Sequence, residues 1–311
     1  MIDPGTPEEF NTGSPPKQIE FTHLPNVRLL TALDAHLSNH PDTVVRFFGN
    51  EGDWTSLAFL QHIPHVQRLR LQNSDSASPI SDLSPLGSIA TLRDLNIPWV
   101  AKRKIDFTPL LRHSGSLRNL SIWVERTHRH PYFDVLPRLT SVRLLGLPFA
   151  DFRLLTALER LAYLNLGAGP FENETSVEGM ADLQHVRMLR SKITDLTPYL
   201  TGRSIRSIEL LKMPNCGVRH LPQNSAADFV YIDGFKSLES FKSLGTFPRL
   251  SSLVIRTPHL PPSDFSFLQS CSALQQVFVE FPSKKQSSEF ASHVDANKLL
   301  DGPVFPDIPA A

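Results

Sequence analysis

The feature that most constrains this chain is an apolar triplet that returns at regular intervals. Leu161, Leu164 and Leu166 stand at i, i+3 and i+5. An amphipathic helix needs i, i+3, i+4, i+7 and a half-buried strand needs strict alternation, so this spacing suits neither element alone. The same apolar-x-x-apolar-x-apolar pattern fits at Val66-Leu69-Leu71, Leu92-Leu95-Ile97, Leu117-Leu120-Ile122 and Leu139-Val142-Leu144. It fits again at Leu183-Val186-Met188, Ile205-Ile208-Leu210, Ala227-Val230-Ile232, Leu250-Leu253-Ile255 and Leu274-Val277-Val279. From Leu117 to Ala227 five successive steps are 22 residues each, and no step in the series exceeds 26. A weaker copy, around Val44, Val45, Phe47 and Phe48, precedes them.

A period of this length is the mark of a solenoid, in which one short unit cannot bury its own apolar face and stacks on the next. A second signature lies about ten residues ahead of many of the triplets: Asp82-Leu-Ser-Pro, Asp106-Phe-Thr-Pro, Asp151-Phe-Arg-Leu, Asp195-Leu-Thr-Pro and Asp264-Phe-Ser-Phe. A carboxylate can accept free N–H groups of a helical first turn, and Pro is tolerated there because its missing N–H would have no partner. Each unit therefore reads as a short strand, a turn and a short helical or 3-10 return.

These residues resemble leucine-rich repeats, and among them the short bacterial repeats of the internalin-like kind, over residues 43–282. The resemblance implies an α/β solenoid of about 10–11 coils, with a curved parallel sheet on the concave side and short helices or 3-10 turns on the convex side. In one respect the chain departs from the pattern. Where the family carries Asn three residues after the last strand leucine, this chain has Ser74, Val100, Glu125, Leu147, Gly169, Ser191, Met213, Phe235, Pro258 and Pro282. With no asparagine ladder, coil-to-coil bonding must come from elsewhere.

A solenoid needs covers at its ends. Residues 19–42 supply Val27, Leu29, Leu30 and Leu33 at helical spacing for an N-terminal helical cap, and residues 283–311 supply a C-terminal helical cap and tail, with a second helix over 287–300. Residues 1–18, rich in Pro, Gly, Glu and Thr, read as an added, disordered leader outside the fold. They carry no basic segment followed by an apolar run, so no secretory signal is legible. The two cysteines, Cys216 and Cys271, form no disulfide framework and have no metal spacing. The expected setting is cytoplasmic, or secreted if a native signal has been removed, with no membrane insertion and a chain that is monomeric alone.

Lys+Arg and Asp+Glu are balanced at 31 each, which argues against a nucleic-acid partner. No Gly-rich phosphate loop, nucleophile elbow or HExxH stands in the sequence, so neither an enzyme nor a cofactor is expected. Glu125, His128 and His130 could begin a metal site, yet no further ligand lies near them and a polar loop is the plainer reading.

Between the leucines stand the residues that face away from the core. Arg70, Arg93, Arg118, Arg143, Arg187 and Arg206 make the first two-thirds basic, with Trp123 as an outward aromatic. Glu209, Asp228, Tyr231, Asp233 and Phe278 make the last third acidic and aromatic. Arg, Tyr and Trp are enriched at binding hot spots. The expectation is a concave face that binds a protein partner, as an inhibitor, immunity protein or regulatory scaffold. A solvated sheet face is the bland account of the same residues, and an exported internalin-like adhesin or virulence factor is the alternative function.

Overall fold

The structure, a computed structural model, describes residues 5–7, 10, 15–49, 56–73, 80, 82–100, 106–124, 136–145, 158–167, 180–190, 195–200, 204–213, 220–224, 226–236, 238–256, 258–292, 294, 298–300, 302–303 and 305. They fall into two compact units, one reaching Leu147 and the other starting at Pro148.

In the first unit the chain runs β1 (Gln18–Phe21), α1 (Val27–Asn39), β2 (Val44–Gly49), β3 (Arg68–Asn73), β4 (Asp94–Val100), β5 (Asn119–Val124) and β6 (Ser141–Leu145). Each strand pairs in parallel with the next. The returns are 3-10 turns at Ala58–His62, Ser84–Ser88 and Thr108–His113. The second unit runs β7 (Tyr163–Gly167), β8 (His185–Leu189), α2 (Thr197–Leu200), β9 (Ser207–Leu211), β10 (Phe229–Asp233), β11 (Ser252–Arg256), β12 (Gln276–Glu280) and α3 (Lys284–Ala291). Its strands are likewise parallel to their successors. Pro98 has no N–H for the ladder, and the register of β4 against β5 shifts between Ile97 and Val100.

The triplets are the core. Leu69, Leu120, Leu164, Leu166, Leu210, Leu253 and Ile255 are fully buried, so each strand presents its even members inward in the sense of period two. The aspartate signature is also helix-start chemistry. Asp82, Asp106 and Asp195 each accept the N–H of the residue two further on, at 2.8, 2.9 and 2.8 Å. The bonds from Thr108 hold the Asp106 carboxyl below its ordinary pKa. Asp264 instead lies inside the 3-10 run Pro262–Ser270, and Asp151 lies outside the described residues.

The missing asparagine ladder is replaced by two devices. Just ahead of the strands, one carbonyl accepts two successive N–H groups from the following coil: Arg93 and Asp94 on Gln67, Arg118 and Asn119 on Arg93, Arg206 and Ser207 on Gln184, Asp228 and Phe229 on Arg206. Side chains add bonds to the preceding coil's backbone, as Ser116 Oγ does to Leu92 at 2.8 Å and Asn224 Nδ2 to Leu200 at 2.5 Å. Asn224 Oδ1 also accepts from Ala226 and Ala227, both at 2.9 Å. At the far ends of β8, β9 and β10, Arg190, Lys212 and Gly234 take positive φ of 55, 50 and 61°. Their N–H groups donate to Leu211, Asp233 and Arg256. Arg190 and Lys212 thus hold a left-handed turn in which only Gly is free of strain.

Both ends of the chain differ from the sequence expectation. The first strand, Gln18–Phe21, precedes α1, so the N-terminal cap is a strand and a helix. Within α1, Leu29, Leu30, Leu33 and Leu37 are buried while Val27 is exposed. The leader is joined to the fold: Phe10 is buried with its ring 5.8 Å from His36, and Lys17 accepts from Val44. At the other end the helix spans Lys284–Ala291, shorter than expected, and seats Phe290 against Phe265 and Phe281 at 5.4 Å each. Leu299 bridges Val277 in parallel where the helix was expected to continue. No helix among the described residues is long and apolar enough to cross a membrane.

Candidate functional site

Stepping one residue to either side of the buried apolar residues of each strand gives the residues that face away from the core. In the second unit they form a grid set by strand register. The first row is Tyr163, His185, Ser207, Phe229, Ser252 and Gln276, and the second is Asn165, Arg187, Glu209, Tyr231, Val254 and Phe278. The third is Gly167, Leu189, Leu211, Asp233, Arg256 and Glu280. Arg206 and Asp228, expected from the sequence to face away from the core, stand one residue ahead of the first-row residues Ser207 and Phe229. Arg206 and Asp228 thus lie just ahead of β9 and β10, and the sequence expectation omitted His185 and Ser207. Plain alternation outward from Leu164, Val186 and Ile208 would have found them.

Much of this face is covered. Asn165 and Ser207 are 2% exposed and Glu209 is 5% exposed. Leu211, Phe229, Tyr231 and Val254 form a buried apolar patch on the same side, with Leu189 and Phe278 packed against it. Among the described residues, four polar atoms here lack a hydrogen-bond partner: Asn165 Oδ1, His185 Nδ1, Ser207 Oγ and Ser252 Oγ. Asn165 Nδ2 donates only a long bond, 3.4 Å, to the Tyr163 hydroxyl. An unpaired buried acceptor loses its hydration without compensation, so such groups are rare in folded chains.

The charges pair between neighbouring coils. Arg187 Nε lies 3.5 Å from the Glu209 carboxylate, its register partner. Arg206 Nε lies 2.8 Å from Asp228, and Arg256 Nε 2.6 Å from Glu280. Burial pushes the Glu209 carboxyl above its ordinary pKa, and Arg187 opposes that shift without cancelling it. Burial likewise raises the Tyr231 hydroxyl, while its bond with Arg256 works the other way. His185 is pushed down by burial.

In the first unit several basic residues are similarly answered. Arg68 bonds Asp94 at 2.5 Å, Asn119 donates to the same carboxylate at 2.6 Å, and Arg93 reaches Asp42 at 3.1 Å. Asp42 lies in a loop before β2, outside the repeat register, and so it was invisible to a row-by-row reading. Arg70 stands in β3 between Arg46 and Asn96, and Arg46 is held by Glu20 at 3.1 Å. Arg118 is half-buried just ahead of β5, and Arg143 is half-buried within β6. Trp123 stands in β5 opposite Leu145, but its side chain lies outside the described residues, as do Glu125, His128, His130 and Cys216. Among the described residues no group of three or more His, Cys, Asp or Glu is placed to hold a metal ion.

No protein-family model and no curated protein matches the chain. Solved structures do. An internalin (inlF) from Listeria monocytogenes is 16% identical, with a TM-score of 0.57 over 96% of this chain and 90% of its own. An internalin C2 (inlC2) from the same organism is 16% identical over 54% of this chain and 77% of its own, with a TM-score of 0.37. The first likeness, together with the parallel strands and their returns, shows that the chain has the leucine-rich repeat α/β solenoid fold, as the 22-residue period implies.

Proposed function

We propose that the chain is a non-enzymatic protein-binding module whose site is the core-averted face of β7–β12. One observation carries the reading: on a face made of strand residues, buried polar atoms stand unpaired beside a buried apolar patch. Asn165 Oδ1 needs a donor, Ser207 Oγ can give or take, and the Glu209 carboxylate has a single arginine at 3.5 Å. A partner's amides or cations would satisfy them once binding displaces the groups that now cover them, and its apolar side chains would extend the patch. The leucine-rich repeat fold supports the same reading, because it presents a long sheet face without a catalytic domain of its own. The partner is a protein, and the chain serves as its inhibitor, immunity protein or regulatory scaffold in a cytoplasmic setting.

The charge pairs change what electrostatics contributes. Arg187 and Arg206 already have acids in cis, so a partner meets alternating charges and not a single basic field. Such pairs set specificity and register more than raw affinity. To test the reading, a partner captured from the native source is titrated against three chains. They are the wild type, Arg187→Glu with Arg206→Glu, and Lys242→Glu, which lies in the return Lys242–Thr246. At least tenfold weaker binding by the first variant alone, with an unchanged circular dichroism spectrum, supports the reading. Equal affinity of all three chains refutes it. The likeness to an internalin favours a second reading, an exported surface factor; recovery of the protein outside the cells that make it would decide for it.

A further inference from the structure

The apolar part of this face is already occupied by the chain itself. Beyond α3 the chain returns along β12, where Leu299 bridges Val277 and the Leu300 N–H donates to the Val277 carbonyl at 2.9 Å. Five residues later the Phe305 ring stands edge-on to Tyr231, with centroids 5.1 Å apart, and to Phe229 at 6.3 Å, both at 64°. Edge-to-face geometry at these distances is the favourable arrangement for aromatic pairs. The ring beneath is buried, yet Phe305 itself is 47% exposed. A half-exposed ring with two edge contacts must offset the cost of ordering the residues that lead to it. It is therefore weakly seated.

We propose that the Phe305 segment is an intramolecular stand-in for the partner. The patch of Leu211, Phe229, Tyr231 and Val254 is a seat for one aromatic side chain on an extended segment of a partner protein, and Phe305 must leave before that side chain enters. The inference rests on the binding-module reading and adds the chemistry of the occupant. The occupant's class follows from what occupies the seat in the structure: a phenyl ring that follows the Leu299–Val277 bridge on the β12 side. Competition in cis lowers the partner's apparent affinity by one plus the seating constant of Phe305, so releasing the segment tightens binding by that factor.

The chain has four tyrosines, few enough for fluorine NMR on protein labelled with 3-fluorotyrosine, with the Tyr231 resonance assigned through Tyr231→Phe. In the full-length chain Phe305→Ala shifts this resonance. Adding the acetylated, amidated hexapeptide Gly-Pro-Val-Phe-Pro-Asp, the sequence of residues 302–307, moves it back toward the wild-type position. The peptide's apparent Kd is at least threefold lower for the Phe305→Ala chain than for the wild type, and the peptide with Ala in place of Phe moves nothing. An unmoved Tyr231 resonance in Phe305→Ala, or equal peptide affinity for both chains, overturns the proposal. A wild-type Tyr231 resonance that changes with protein concentration also overturns it, because the ring would then come from a second copy. The native partner separates the two readings. If the peptide enters the seat but Arg187→Glu with Arg206→Glu leaves partner binding intact, the broader reading fails alone. If the partner binds at this face and Phe305→Ala does not tighten it, the stand-in fails alone.

Discussion

Glu209 is the residue at which the account is most exposed to a simple perturbation. It is 5% exposed on a sheet face, and its Oε2 lies 3.5 Å from Arg187 Nε. Burial raises its pKa more than Arg187 lowers it. The folded chain therefore holds a proton at pH values where an unfolded Glu, with a pKa of about 4.3, has released it. Stability from this group is greatest below that value and falls as pH rises through the folded value, with a slope of at most about 1.4 kcal/mol per pH unit for one proton. Gln keeps the shape and cannot ionise. Arg187, with a side chain 37% exposed, stays in contact with water when its partner is neutralised, so no buried cation is stranded. Replacing a whole buried pair by apolar residues is worth up to about 1–4 kcal/mol. Here one carboxylate alone is neutralised and its arginine stays hydrated, which puts the gain at no more than ~1 kcal/mol. Urea unfolding followed by circular dichroism is to be run on wild type and Glu209→Gln at pH 7 and pH 4, and the difference between the chains cancels the other carboxylates. The variant is expected to be the more stable at pH 7 and to lose its advantage at pH 4. A variant less stable than wild type at pH 7 would mean that the ion pair outweighs desolvation, and the reasoning would be wrong.

Other substitutions separate the devices that hold the coils. Asn224→Ala removes three bonds to buried backbone groups and is expected to cost about 3 kcal/mol in urea unfolding. Lys212→Gly relieves a φ of 50° while keeping the N–H bond to Asp233, and a gain of about 1 kcal/mol is expected. Burial lowers the pKa of His36, His113 and His185. The unfolded chain thus binds more protons below about pH 6.5, and the wild-type urea midpoint should fall between pH 7.5 and pH 5.5.

The fold was legible because each coil repeats one chemical demand. Leu161, Leu164 and Leu166 must be buried at a spacing that only a strand with a turned-in start can meet, and the period repeats it from Leu117 to Ala227. The face was less legible, for three physical reasons. A one-residue shift in the first row changes which side chains a strand presents, which is why Arg206 and Asp228 stood where Ser207 and Phe229 belong. Ion pairing joins residues about a coil apart, and a list of arginines does not reveal that Arg187 and Arg206 already have acids in cis. Phe305 comes from a segment with no repeat signal, so nothing in the spacing connects it with Tyr231.

The measurement that bears most directly on the face is a paired one on Asn165→Leu with Ser207→Ala. These changes remove the unpaired Asn165 Oδ1 and Ser207 Oγ while keeping similar shapes. If the atoms are held for a partner, the double variant is more stable in urea by about 1–2 kcal/mol and binds the captured partner at least tenfold more weakly. A variant that gains stability and keeps its full affinity would contradict the claim that this face is the binding site.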